Sequence, residues 1–142
     1  MTTLESSRIV TALGRRSGSG GDVHPVADAV VSLWRDIELQ LIPIIGPRGV
    51  AALHRRSLFL TAREYSWLSI ASDGTAPTMD LDSLRHMLHL QDATAALAAA
   101  GAHFLTFHDL LTTMVGPALT ERLLRDVWDP PSTSTPAQDT HA

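Results

Sequence analysis

The sequence predicts an all-α protein, a bundle of four to six helices with disordered ends. Apolar residues recur at spacings of three and four through most of the chain, and the alternation typical of strands is hard to find. Gly-Pro pairs at 46–47 and 116–117 divide this helical pattern. Proline ends a helix that precedes it and suits the first turn of the next one. The pattern therefore predicts two helix-Gly-Pro-helix hairpins.

Three segments are expected. Residues 1–21 end in a Ser/Gly-rich stretch typical of a flexible linker, so we predict a flexible N-terminal arm there. Residues 22–128 form the helical domain. Residues 129–142 begin with Asp129 and the helix-breaking pair Pro130-Pro131, and the segment lacks large apolar side chains to bury, which predicts a disordered C-terminal tail.

The first hairpin begins at Asp22, which can cap a helix that runs to Ile44. Gly46-Pro47 ends this helix and starts a second one, which we expect to continue to Trp67 and Leu68. A turn-forming loop over 72–77 comes next.

The second half of the domain contains further aspartate caps. Asp80 or Asp82 can start a short helix, and Asp92 can start a helix that reaches Val115. Gly101 can kink that helix, so residues 80–115 form either one kinked helix or two helices. The last helix follows Gly116-Pro117 and ends near Trp128.

The two hairpins match when the chain is shifted by 70 residues. A true duplication would explain the match, but any two amphipathic helices divided by Gly-Pro would align almost as well, and both explanations stay open. The matching positions include Trp34 with Phe104, Ile37 with Phe107, Leu41 with Leu111, Leu53 with Leu123 and Leu58 with Trp128.

Composition excludes several chemistries. The chain has 142 residues, 44% of them hydrophobic, which suits one domain with a real core. It has no cysteine, which rules out disulfides, thiolate metal sites and cysteine nucleophiles. All 11 basic residues are arginine, so Schiff-base and P-loop lysines are also ruled out. The lack of Lys and Asn is typical of a GC-rich genome, and we expect a bacterial source.

Charge and hydropathy point to a soluble, cytoplasmic protein. The net charge is −4, and the arginines form no dense stripe, so nucleic-acid binding is not expected. No apolar run approaches the roughly 18 residues of a membrane span, and the N-terminus lacks the apolar region of a signal peptide. We expect no membrane partner.

Aromatic residues are the best candidates for a pocket or an interaction site. Trp34, Phe104 and Phe107 lie on apolar helix stripes and could line a space between the hairpins with His103 or His108. Trp128 ends the last helix beside the tail, where it could anchor a partner.

Two polar groups are weaker candidates. His86, His89 and Asp92 follow one another at helical spacing and could ligate a metal, although paired histidines are more often ordinary surface residues. Arg55 and Arg56, with Arg63 two turns later, could bind an anion, although a solvated face is the simpler reading.

The sequence favours a small helical regulatory or protein-interaction module, with a protein partner or a second copy in a homodimer. It contains no recognisable catalytic constellation, so an enzyme is the third and least favoured hypothesis. The competing hypothesis is a ligand- or cofactor-binding sensor with its pocket between the hairpins. The residues identify no cofactor, and we expect none.

Overall fold

The computed structural model describes residues 2–17, 22–71 and 80–128. These residues form helices joined by turns, with no strand among them, which confirms the prediction of an all-α bundle. The predicted loop over 72–77 and the predicted tail over 129–142 lie outside the described residues. The helices are α1 (Thr2–Ser17), α2 (Val23–Thr61), a 3₁₀ helix (Ser66–Ala71), α3 (Leu81–His89), α4 (Ala93–Val115) and α5 (Pro117–Trp128).

Three helices begin at aspartates that cap them. The side chain of Asp22 accepts a hydrogen bond from the backbone N–H of His24 at 3.0 Å. Asp80 accepts from Ser83 N–H at 3.1 Å, and Asp92 accepts from Ala95 N–H at 2.7 Å. Each carboxylate satisfies a donor that the first helical turn leaves unpaired. Because Asp92 starts a new helix, residues 80–115 form two helices, and α4 continues through Gly101.

The two Gly-Pro breaks have the same backbone conformation. Gly46 kinks α2 at φ 78° and ψ 163°, and Gly116 separates α4 from α5 at φ 92° and ψ 158°. This combination is open almost exclusively to glycine. The pattern of buried, half-buried and exposed residues over 41–50 is repeated position by position over 111–120. The two units, 23–61 and 93–128, therefore match in structure around the break.

The core lies between these two units. The most extensive helix contact joins α2 to α4, and α3 packs against α2. Helix α2 ends at Thr61, earlier than we predicted, and the 3₁₀ helix after the turn brings Leu68 into the core. The largest fully buried side chains on α2 and α4 are Trp34, Phe104, Phe107, Leu33, Ile37, Leu41 and Leu58.

Helix α1 differs from the predicted arm over 1–21. It packs against α2, α4 and α5, with Ile9, Ala12 and Leu13 at most 1% exposed. Its Arg8 pairs with Glu121 of α5, with Nη1 2.8 Å from Oε1. Arg15 donates a hydrogen bond to the backbone carbonyl of Trp128. Helix α1 is therefore part of the bundle, and Met1 and the Ser/Gly stretch at 18–21 are the parts of the predicted arm that lie outside the described residues.

Candidate functional site

The four predicted aromatic candidates lie together in the core. Trp34 stacks on Phe104, with ring centroids 4.4 Å apart, and meets the edge of Phe107 at 5.0 Å. Trp128 contacts Phe104 at 5.9 Å and is 3% exposed. Trp128, predicted as a possible anchor for a partner, therefore packs within the chain, because the last turn of α5 directs its indole inward. Trp34, Phe104 and Phe107 pack against one another.

Two buried histidines complete a cluster with Trp34, which we call the Trp-His trio (Trp34, His54, His103). Its ring centroids are 4.5 Å apart for Trp34 and His54, 4.6 Å for Trp34 and His103, and 4.8 Å for the two histidines. All three side chains are at most 2% exposed. The alternative pocket residue, His108, is half-buried and lies beside Asp109.

His54 was missed as a candidate. The sequence around it, Leu53-His54-Arg55-Arg56, looks like a cationic face. Its spacing of four from both Val50 and Leu58 places it on the apolar stripe of α2, which could have identified it as a core histidine.

Burial keeps the trio histidines neutral. Desolvation lowers the pKa of His54 to about 3, and the nearby Arg55 charge acts in the same direction. Desolvation also lowers the pKa of His103 well below 6.5, with the neighbouring His54 adding to the effect and a hydrogen bond to the His54 backbone opposing it. Three buried nitrogens of the trio have no hydrogen-bond partner among the residues that the structure describes: Trp34 Nε1, His54 Nε2 and His103 Nε2.

The predicted metal ligands are not assembled into a site. His86 is exposed, whereas the His89 ring packs against that of His24 at 4.3 Å. Asp92 uses its carboxylate to cap α4. In the described part of the chain, no three His, Asp or Glu side chains come close enough to hold a metal ion.

The predicted anion-binding arginines differ in their surroundings. Consecutive helical residues are separated by about 100° around the axis, and accordingly Arg55 is half-buried while Arg56 is exposed. The guanidinium carbon of Arg56 lies 5.8 Å from the centroid of the Phe59 ring, a cation-π contact. Arg63 lies in the turn beyond the end of α2.

An apolar groove lies between α1 and α4, with a volume of about 290 Å³. Val10 and Leu97 are exposed, at 65% and 36%. This surface was not among the predicted sites, because one of its two walls belongs to the segment that we predicted to be an arm. The residues of this α1–α4 groove are Ile9, Val10, Leu97, Ala98, Gly101, Ala102 and Leu105.

Comparison of the chain with profiles of known protein families, with curated proteins and with solved structures finds no match. None of the helices in the described ranges is both long and apolar enough to cross a lipid bilayer.

Proposed function

We propose that this chain is a regulatory interaction module that associates with a second copy of itself through the α1–α4 groove. The observation that carries the proposal is the combination of exposed apolar side chains and small residues in one groove. Val10 and Leu97 can serve as ridges, and Ala98, Gly101 and Ala102 leave space for ridges from a partner. In a two-fold symmetric dimer the same surface of each copy forms the interface, so that surface has to offer both the ridges and the space that receives them.

Gly101 supports close approach by a partner. A Cβ atom added at Gly101 would meet no atom within 4 Å, so packing inside the chain does not require glycine there. Glycine in the middle of a helix costs about 1 kcal/mol relative to alanine. Packing of a second helix against α4 explains why glycine is present at position 101, since the missing side chain lets the two helix backbones approach each other.

The charge pattern favours a second copy as the occupant. The α4 sequence from Ala93 to Phe107 contains no Asp, Glu, Lys or Arg. A two-fold interface brings the same region of each copy together, so any charge near the axis would repel its own equivalent. The uncharged stretch of α4 avoids that repulsion.

Sedimentation equilibrium at about 0.1 mM protein tests the proposal, because this concentration detects weak homodimers. We expect a dimer for the wild-type chain and a monomer for Val10→Glu, which places a charge in the groove. The matched control is Leu39→Glu, because Leu39 is similarly exposed, at 69%, and does not line the groove.

The control variant should remain dimeric. A wild-type chain that is monomeric at this concentration would disprove self-association. Equal weakening by both glutamate variants would show that the dimer forms through another surface.

The sensor hypothesis is supported by a different observation, the unpaired nitrogens of the Trp-His trio. Buried polar atoms without partners are uncommon in folded proteins and call for an explanation such as a bound molecule. The trio lies between the two units, as the sensor hypothesis expects of its pocket.

A further inference from the structure

The Trp-His trio has an apolar counterpart elsewhere in the same chain. At the 70-residue offset, Trp34 corresponds to Phe104, His54 to Leu124 and His103 to Leu33. All three counterparts are buried, at 1% exposure or less. This bundle therefore accommodates leucine at the positions equivalent to both histidines.

Packing alone would favour leucine at the histidine positions as well. A buried polar group without a hydrogen-bond partner costs about 1–3 kcal/mol, and the trio contains three such nitrogens. Leucine would fill the same kind of position without that cost. The histidines therefore indicate a role that hydrophobic packing does not supply.

The protonation state of His103 defines part of the site. Its ring hydrogen-bonds the backbone of His54, while its Nε2 is unpaired. Nδ1 thus donates the proton to the carbonyl oxygen, and Nε2 of the neutral ring presents a lone pair. The indole Nε1–H of Trp34 is a donor only. The trio therefore offers at least one acceptor and one donor to a guest.

Charge and size restrict what that guest can be. Within the described ranges, no carboxylate or third imidazole completes a metal-ligand set around the two rings, and a divalent cation would be buried without compensation. An anion would face the lone pair of His103. The three rings are in direct contact, with 4.5–4.8 Å between centroids, so a guest has to lie at the ring edges and be no larger than a water molecule.

We propose that the Trp-His trio is a binding site for one water molecule, which accepts from Trp34 Nε1–H, donates to His103 Nε2 and takes His54 Nε2 as its third partner. Buried waters in proteins typically make about three such hydrogen bonds. The water joins both arms of α2, on either side of Gly46, to α4. This site is independent of the α1–α4 groove and of self-association.

Nuclear Overhauser spectroscopy of the full chain tests the proposal. The indole proton of Trp34 is assigned by its loss in Trp34→Phe, which reproduces the counterpart residue Phe104. We expect a cross-peak between this proton and water, with opposite signs in the laboratory-frame and rotating-frame experiments, as dipolar contact with a retained water requires. The indole protons of Trp67 and Trp128 serve as internal references.

The variants His54→Leu and His103→Leu, alone and together, should remove this cross-peak while helical circular dichroism is retained. Absence of the cross-peak in the wild-type protein would overturn the proposal, and so would its persistence in a folded double variant. Native mass spectrometry provides a second test. An added mass that is larger than water and lost in the double variant would assign the site to another ligand.

Discussion

The ring of Trp34 stacks on that of Phe104, 70 residues further along the chain, with 4.4 Å between centroids and 20° between ring planes. The two residues occupy equivalent positions in the two helix-Gly-Pro-helix units. Both are fully buried, and each has a second aromatic neighbour, Phe107 for Trp34 and Trp128 for Phe104. The same position of each unit therefore forms the centre of the contact between them.

Truncation of this stack should destabilise the bundle strongly. We expect Trp34→Ala to lower the free energy of unfolding by about 3–5 kcal/mol, because it leaves a large cavity in the core. Urea denaturation followed by circular dichroism measures the change. Trp67→Ala is the matched control, since Trp67 is half-buried and should cost less. Equal losses would contradict the central role of Trp34.

Acid should destabilise the protein through His54 and His103. The unfolded chain binds protons on these imidazoles below about pH 6.5, whereas burial lowers the pKa of His54 to about 3 and that of His103 well below 6.5 in the folded protein. The contribution of these two neutral histidines to the free energy of unfolding is therefore complete above about pH 6.5 and is lost as the pH falls. For each histidine, the free energy of unfolding falls by at most about 1.4 kcal/mol per pH unit.

The interval from about pH 6.5 to 5 is where protonation of the unfolded chain at these two positions begins to cost stability, and comparison with a variant that lacks both imidazoles assigns the effect to them. The Arg8 hydrogen bond lowers the pKa of Glu121 from 4.5, and hydrogen bonds from His24 lower that of Asp22 from 3.8, so both carboxylates act at lower pH. Urea midpoints across the interval should fall for the wild type and change much less for the double variant His54→Leu/His103→Leu. A similar fall in both proteins would refute this assignment.

Much of the fold could be predicted from local signals. Asp22, Asp80 and Asp92 cap helices because a carboxylate beside a turn satisfies the first free N–H groups, a rule that depends on a few neighbouring residues. The helix breaks at Gly46 and Gly116 are predictable in the same way, because a Gly-Pro pair in the sequence marks each of them. The identity of the helix partners was not predictable in this way, because it depends on contacts between distant parts of the chain.

The candidate site was harder to predict for the same reason. Trp34, Phe104 and Phe107 could be placed on apolar stripes, but the addition of His54 to the cluster requires the kink at Gly46 to fold the two arms of α2 together. Helix α1 was missed because Ile9 and Leu13 form a stripe too short to distinguish from a mobile arm. Without α1, the groove against α4 could not be foreseen.

The glycines at the breaks should be essential to the turn. Gly46→Ala and Gly116→Ala should each cost about 1–3 kcal/mol, because a Cβ atom strains a backbone with positive φ and extended ψ. Gly101→Ala is the matched control and should stabilise the chain by up to about 1 kcal/mol, since it lies in a regular helix with open space around it. The midpoint temperature of thermal unfolding, measured at low protein concentration, compares the three variants with the wild type. Stabilisation by all three substitutions would contradict the strain argument.

Helix α1 should contribute to stability through its buried face. We expect Leu13→Ala to lower the free energy of unfolding by about 2–5 kcal/mol, because Leu13 is 1% exposed in the core. Val10→Ala is the control on the same helix, and its exposed side chain predicts a change within about 0.5 kcal/mol in the dilute monomer. Urea denaturation of both variants separates a packed helix from a loose arm. If Leu13→Ala were as mild as Val10→Ala, α1 would not be part of the folded core, and the groove that it forms with α4 would lose one of its walls.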